Sequence, residues 1–148
     1  MGQTWKSAFV DIGVETGAYA AGDALGSKQS FSGGLPEHGY LVGVVVQDHD
    51  QEHPVIDVVF FDSADIAGST DNAVFAPTDA ELATAMGAVR VNDTDYFDFS
   101  TNSLGVVGDF RLPYWSSGGS LFFQCVVRQA HTFTAITDVQ IAIYVEAT

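Results

Sequence analysis

Apolar residues in this chain come in short runs rich in Val, Ile, Phe and Tyr, and Gly, Asp, Asn and Ser fill the breaks between them. The clearest runs are Tyr40–Val46, Val55–Phe61, Leu121–Val127 and Val139–Val145. Short β-branched and aromatic runs bounded by turn residues are strands, and strands at close spacing build a sandwich or barrel rather than an α/β fold. The pattern predicts strands near 8–14, 40–47, 55–62, 88–92, 95–100, 104–110, 121–129 and 138–145. Short edge strands, one of them near 28–31, are expected within the Gly-, Ala- and Ser-rich stretch 15–39. One helix is expected at 79–86. Thr78 is its N-cap, Asp79 and Glu81 stand at the positive end of its dipole, and Gly87 follows where helices stop. The expected fold is all-β: a jelly-roll-like antiparallel sandwich of about eight strands with that short helix.

The polar segment 48–54 lies between two long runs and reads as the charged tip of a hairpin. Strands 40–47, 55–61 and 121–127 are apolar on both faces for part of their length, whereas a half-exposed antiparallel sheet keeps one face polar. A second subunit is the expected cover, with the helix and long loops as the alternative. Residues 1–7 read as a polar arm carrying Trp5, suited to clasp a neighbouring subunit. Residues 8–148 read as one domain, long enough to bury a core without staples.

Charge narrows the partners. The chain has 19 acidic residues against five basic ones, a net charge of −14. The five cations (Lys6, Lys28, Arg90, Arg111 and Arg128) are scattered, so neither nucleic acid nor an anionic membrane is an expected partner. No run approaches the roughly 20 apolar residues of a spanning helix, and the N-terminus lacks the apolar core of a secretory signal, so a soluble chain made in a cytoplasm is expected. The single cysteine, Cys125, sits mid-strand and reads as a small buried hydrophobe.

Catalytic signatures are weak. His49-Asp-Gln-Glu-His53 has the letters of a zinc-protease motif, but that chemistry needs a helix to bring both His onto one face. Here the pentapeptide lies between two β runs and ends at Pro54, so a zinc site is rejected. No G-x-S-x-G elbow or phosphate loop is present, and carboxylate pairs among so many acids carry no specificity. The chain is read as a non-enzyme. Asp62, Asp65 and Asp71 in the 62–72 loop offer oxygens to a hard cation, making calcium the one candidate cofactor. The second acidic cluster, Asn92, Asp93, Asp95 and Asp98, is equally ambiguous. Tyr114 and Trp115, beside the Gly-rich turn 116–119, are candidate contact aromatics.

The segment Val58-Val-Phe-Phe-Asp-Ser-Ala64, followed by Thr70-Asp-Asn-Ala-Val-Phe-Ala-Pro-Thr-Asp-Ala-Glu-Leu-Ala-Thr-Ala-Met-Gly-Ala-Val89, resembles the head decoration (cement) proteins of tailed bacteriophages. A late strand at Leu121–Arg128 and a terminal one at Val139–Val145 complete the likeness, which covers 40 to 145. The resemblance implies a virion structural protein on the outer surface of the capsid. There it would bind the major capsid protein as a homotrimer and clamp the icosahedral shell. Trp5, Lys6, Phe9, Tyr114 and Trp115 are the contact residues expected on that reading. The alternative is a carbohydrate- or receptor-binding sandwich, calcium-dependent, using Tyr114, Trp115 and the 62–72 loop.

Overall fold

A computed structural model describes residues 3–32, 34–62, 66–116 and 118–148. Its strands are β1 (Thr4–Lys6), β2 (Val10–Asp11), β3 (Ala18–Tyr19), β4 (Ala24–Phe31), β5 (His38–Asp48), β6 (Ile56–Phe61) and β7 (Ala85–Val91). The chain continues with β8 (Tyr96–Asp98), β9 (Ser103–Val107), β10 (Leu112–Trp115), β11 (Leu121–Val127), β12 (His131–Thr132) and β13 (Val139–Ala147). A single helical turn, α1 (Asp79–Leu82), precedes β7.

The first sheet runs β1-β13-β5-β9-β8, with β2 also on β13 and β10 also on β5. The second runs β4-β11-β6-β7, and β3 pairs with β12 in a small ribbon. All pairings are antiparallel. The chain changes sheet between β4 and β5, β5 and β6, β7 and β8, β10 and β11, and β11 and β13. Only β6 and β7 are consecutive neighbours in the second sheet. With β1/β2, β13, β5 and β9 facing β4, β11, β6 and β7, this is the strand order of a jelly roll, and the expected all-β sandwich holds.

Alternation decides which side chains meet between the sheets. Ile141, Ile143 and Val145 of β13 and Val44 and Val46 of β5 turn inward and are fully buried. Phe31 and Phe123 stack across β4 and β11 with ring centroids 4.3 Å apart. Each such side chain contributes roughly 1.5–3 kcal/mol by leaving water. Cys125 lies in this core, and burial pushes its thiol pKa up.

The elements differ from expectation in four places. The helix spans 79–82, not 79–86. Thr78 and Glu81 form a capping box, but Ala85 already pairs with Phe61, so β7 takes over where more helix was expected. The segment 48–54 is not a hairpin tip. β5 and β6 belong to opposite sheets, and the chain crosses the end of the sandwich through two left-handed residues, Gln51 (φ 52°) and His53 (φ 48°). β4 spans eight residues despite its polar centre, because its edge pairing with β11 needs no apolar outer face. It leans so closely on the start of the chain that a Cβ at Gly26 (φ 75°) would lie 1.8 Å from the Ile12 carbonyl oxygen. Finally, the arm is not free, since Trp5 pairs with Val145 and Lys6 with Tyr144 of the chain's own β13.

The second apolar face also finds its cover within the chain, on one side. Gln124 of β11 points away from the core yet is fully buried, because the 66–76 segment lies over it. Its amide donates to the carbonyl oxygens of Ser69 (2.7 Å) and Gly26 (3.1 Å) and accepts from the Ser69 N–H (2.9 Å). For the second sheet, a loop does what a second subunit was expected to do.

Candidate functional site

The outer face of the first sheet is buried at its centre, where Val45 and Ala142 lie, and exposed around it. Strand register places Tyr40, Val45, Ala142, Tyr144, Leu104 and Val106 on it. His38 and Trp115 pair at one end, and Phe97 pairs with Leu104 at the other. Trp115 (57%), Phe97 (62%) and Val106 (41%) are the most exposed. The charge on this face is balanced. Its cations are Lys6, whose Nζ lies 4.3 Å from the Phe9 ring centroid, and Arg111, stacked 3.9 Å from the centroid of Tyr40. Its carboxylates are Glu146, 3.5 Å from Arg111, and Asp11 at the margin, which accepts from the Gly13 N–H. A chain of net charge −14 thus leaves one whole face uncharged on balance.

The expected contact residues divide on this geometry. Trp5 and Lys6 sit in β1 at the sheet edge, with Trp5 42% exposed. Phe9 follows β1 and lies under the Lys6 ammonium. Tyr114 is buried, and its hydroxyl donates to the Pro36 carbonyl at 2.8 Å. That leaves Trp115, set edge-on to the His38 ring at 4.3 Å, as the member of the pair that meets solvent. Period-two alternation on β10 is the signal that separates the two.

Two of the three expected cation ligands are described. Asp65 lies outside the described residues. Asp71 Oδ1 already accepts from the Tyr19 hydroxyl (2.8 Å) and the Gly26 N–H (2.7 Å), so it fastens the loop to β4. Asp62 follows β6, and its N–H bonds to the Thr84 carbonyl.

Among the described residues, the acidic cluster with metal-ligand spacing is Asp50, Glu52 and Asp138, whose oxygens lie within 4.8 Å of one another. It sits at the end of the sandwich away from Trp115. A hard cation could gather these oxygens, but a proton does the same work. Burial first, then the neighbouring Asp138, push the Glu52 carboxyl up to about 8. Burial opposes the ionisation of Asp138, yet the Ala135 N–H, Glu52 and Thr134 together hold it below its ordinary value. The proton therefore rests on Glu52. His131, 3.4 Å away, has its pKa lowered by burial, so a neutral acid faces a neutral imidazole and the contact is not an ion pair. The segment 49–53 supplies Asp50 and Glu52 to this cluster, but His49 and His53 diverge. His49 Nε2 lies 3.2 Å from Gln47 Oε1, whereas His53 stacks on Tyr96 and reaches Asp93 at 3.0 Å. These two histidines do not form a zinc pair.

Among the described residues, no helix is long and apolar enough to cross a membrane. Comparison of the chain with protein-family models, with curated proteins and with solved structures finds no significant match.

Proposed function

We propose that this chain is a head decoration protein of a tailed bacteriophage, a non-enzymatic binding module that attaches to the outside of the assembled shell and stabilises it. The observation that carries this reading is the outer face of the first sheet, which exposes Trp115, Phe97, Val106 and Tyr144 and is balanced in charge on a chain of −14. Large exposed apolar faces on soluble domains mark interaction surfaces. Carboxylates elsewhere keep the free chain soluble and bias docking towards this face. The resemblance of residues 58–89 to decoration proteins and the jelly-roll order agree with it. Shell stabilisation then needs no chemistry, because a ligand that binds only the assembled state stabilises it by mass action. Trp115, Tyr40, Tyr144 and Trp5 are the contact residues on this reading, with the major capsid protein as partner and a homotrimer as the binding unit.

Light scattering on the purified chain, followed by sedimentation with expanded heads stripped of decoration, tests it. A mass of about 47 kDa, three times the 15.7 kDa chain, and saturable co-sedimentation are expected. A monomer that stays in the supernatant would overturn the reading.

A further inference from the structure

We propose that the cleft between β5 and the β8–β9 turn is a binding site for one uncharged sugar ring of a glycan, at the end of the first sheet opposite Trp115. The cleft measures about 240 Å³ and is lined by Gln47, His49, Phe99, Asn102, Ser103 and Leu104. Pockets for drug-sized ligands hold roughly 300–1,000 Å³, so this one admits a single ring. Phe99 is 59% exposed and offers a flat apolar wall. Two carboxamides and an imidazole complete the lining, each combining donor and acceptor atoms. Gln47 and His49 bond to each other at 3.2 Å through Oε1 and Nε2, which leaves Gln47 Nε2 and His49 Nδ1 for a ligand. The Asn102 amide makes no hydrogen bond among the described residues.

That pairing of an aromatic wall with neutral amides matches a pyranose, which has an apolar C–H face and a rim of hydroxyls that both donate and accept. Charge excludes the main competitors. No Lys or Arg lines the cleft, so it offers a phosphate or a carboxylate no fixed counter-charge. The wall is also held in place. Gln51 Nε2 donates to the Phe99 carbonyl and, at 3.2 Å, to that of Asn102, while the Phe99 N–H bonds to Asn102 O at 2.8 Å. A turn pinned in this way offers its ring without an ordering cost on binding. Phe97, 62% exposed and two residues along, gives a second ring platform roughly 6.5–7 Å away, so the site continues onto a glycan chain. Nine residues of β5, roughly 30 Å, separate Gln47 from His38 and Trp115, so the cleft opens at the other end of the same face, beside Leu104 and Phe97.

The test is amide chemical-shift titration of the full chain with methyl glycosides of glucose, galactose, mannose and N-acetylglucosamine, then with their β-1,4-linked trisaccharides. Shifts confined to 47–49 and 97–104 are expected, with a dissociation constant on the order of 1 mM for the best single ring. The matching trisaccharide should bind at least tenfold tighter. Phe99→Ala should abolish the shifts and Phe99→Trp should keep them, while both variants retain the wild-type melting temperature, since the side chain is mostly in solvent. No response across the panel, or shifts that survive Phe99→Ala, would overturn the proposal. So would shifts at 97–104 that grow with protein concentration alone, which would make the face a contact between copies.

Discussion

The two outer faces of this sandwich begin from the same pattern and end differently. β5 of the first sheet and β11 of the second are both apolar in consecutive positions, Val44-Val-Val46 and Phe122-Phe-Gln-Cys-Val-Val127. Over β11 the chain lays its own 66–76 segment and seals it with Gln124, a buried amide whose bonds leave it no unmet partner. On the β5 side Val45 and Ala142 are buried too, but Val106, Tyr144 and Trp115 around them stay in contact with water. Charge follows the same division. The second face carries an ion-paired cluster in which Arg90 meets Asp57 through Nε at 2.7 Å and Nη2 at 2.9 Å, with Arg128 at 3.6 Å. A doubly apolar strand therefore shows only that something covers it. Whether the cover comes from the same chain depends on a polar residue such as Gln124 that can fasten it.

The largest effect is expected where the covered face would be opened. Gln124→Ala removes three hydrogen bonds at a fully buried position and leaves the Ser69 N–H and the Gly26 carbonyl without partners. A loss of about 3 kcal/mol is expected in urea unfolding. Proteolysis within 66–76 should rise before global unfolding. A loss under about 1 kcal/mol would mean that the loop is held by other contacts, and the contrast between the faces would weaken.

Next in size is the buried end where the two sheets meet, and its signature is pH. Glu52 keeps its proton in the folded chain up to about 8 but ionises near 4.5 when unfolded. The folded state thus binds the extra proton between those values. Stability is highest below 4.5, declines as pH rises, and levels off once the folded group ionises near 8. The decline should be of order 2 kcal/mol once coupling to Asp138 and solvent screening are allowed for. Glu52→Gln keeps an amide donor for Asp138 but cannot ionise, so its melting temperature should stay nearly flat from pH 5 to 9. Parallel curves for the two proteins would place the proton elsewhere. Calcium at pH 9 should raise the wild-type melting temperature only if the cation replaces the lost proton, and Glu52→Gln would then respond less.

These two regions show what the sequence could disclose. Alternation on β5, β11 and β13 predicts the core residues and the sandwich, because burial between two sheets imposes a period of two wherever it acts. Nothing local distinguishes a turn within a sheet from a crossing between sheets at 48–54. Both need polar residues, and left-handed Gln51 and His53 carry no glycine signal. Ala83-Thr-Ala-Met86 suits a helix by propensity, whereas pairing with β6 draws Ala85 and Met86 into β7. The candidate sites were less legible still. Glu52 and Asp138 lie 86 positions apart, and Gln47, Phe99 and Asn102 meet only once β5 and β9 pair. The one local signal is the Phe97-Asp-Phe99 alternation, two aromatics that share the solvent side of a short strand and its turn.

The smallest change in stability should accompany the largest change in binding, on the outer face of the first sheet. Trp115 is more than half exposed and touches the His38 ring edge-on, so Trp115→Ala should shift unfolding by less than about 0.5 kcal/mol. A tryptophan that anchors an interface is worth about 2 kcal/mol, so affinity for stripped heads should fall about thirtyfold. Tyr114→Phe, one residue away, inverts both results. It loses the hydroxyl bond to Pro36, about 1 kcal/mol of stability, while head binding should be unchanged because the ring faces the core. Measuring both variants by urea unfolding and by sedimentation separates contact from scaffold at adjacent residues. If Trp115→Ala binds heads as tightly as the wild type, this face is not the docking surface. The exposed edge of β1 around Trp5 would then be the next segment to test.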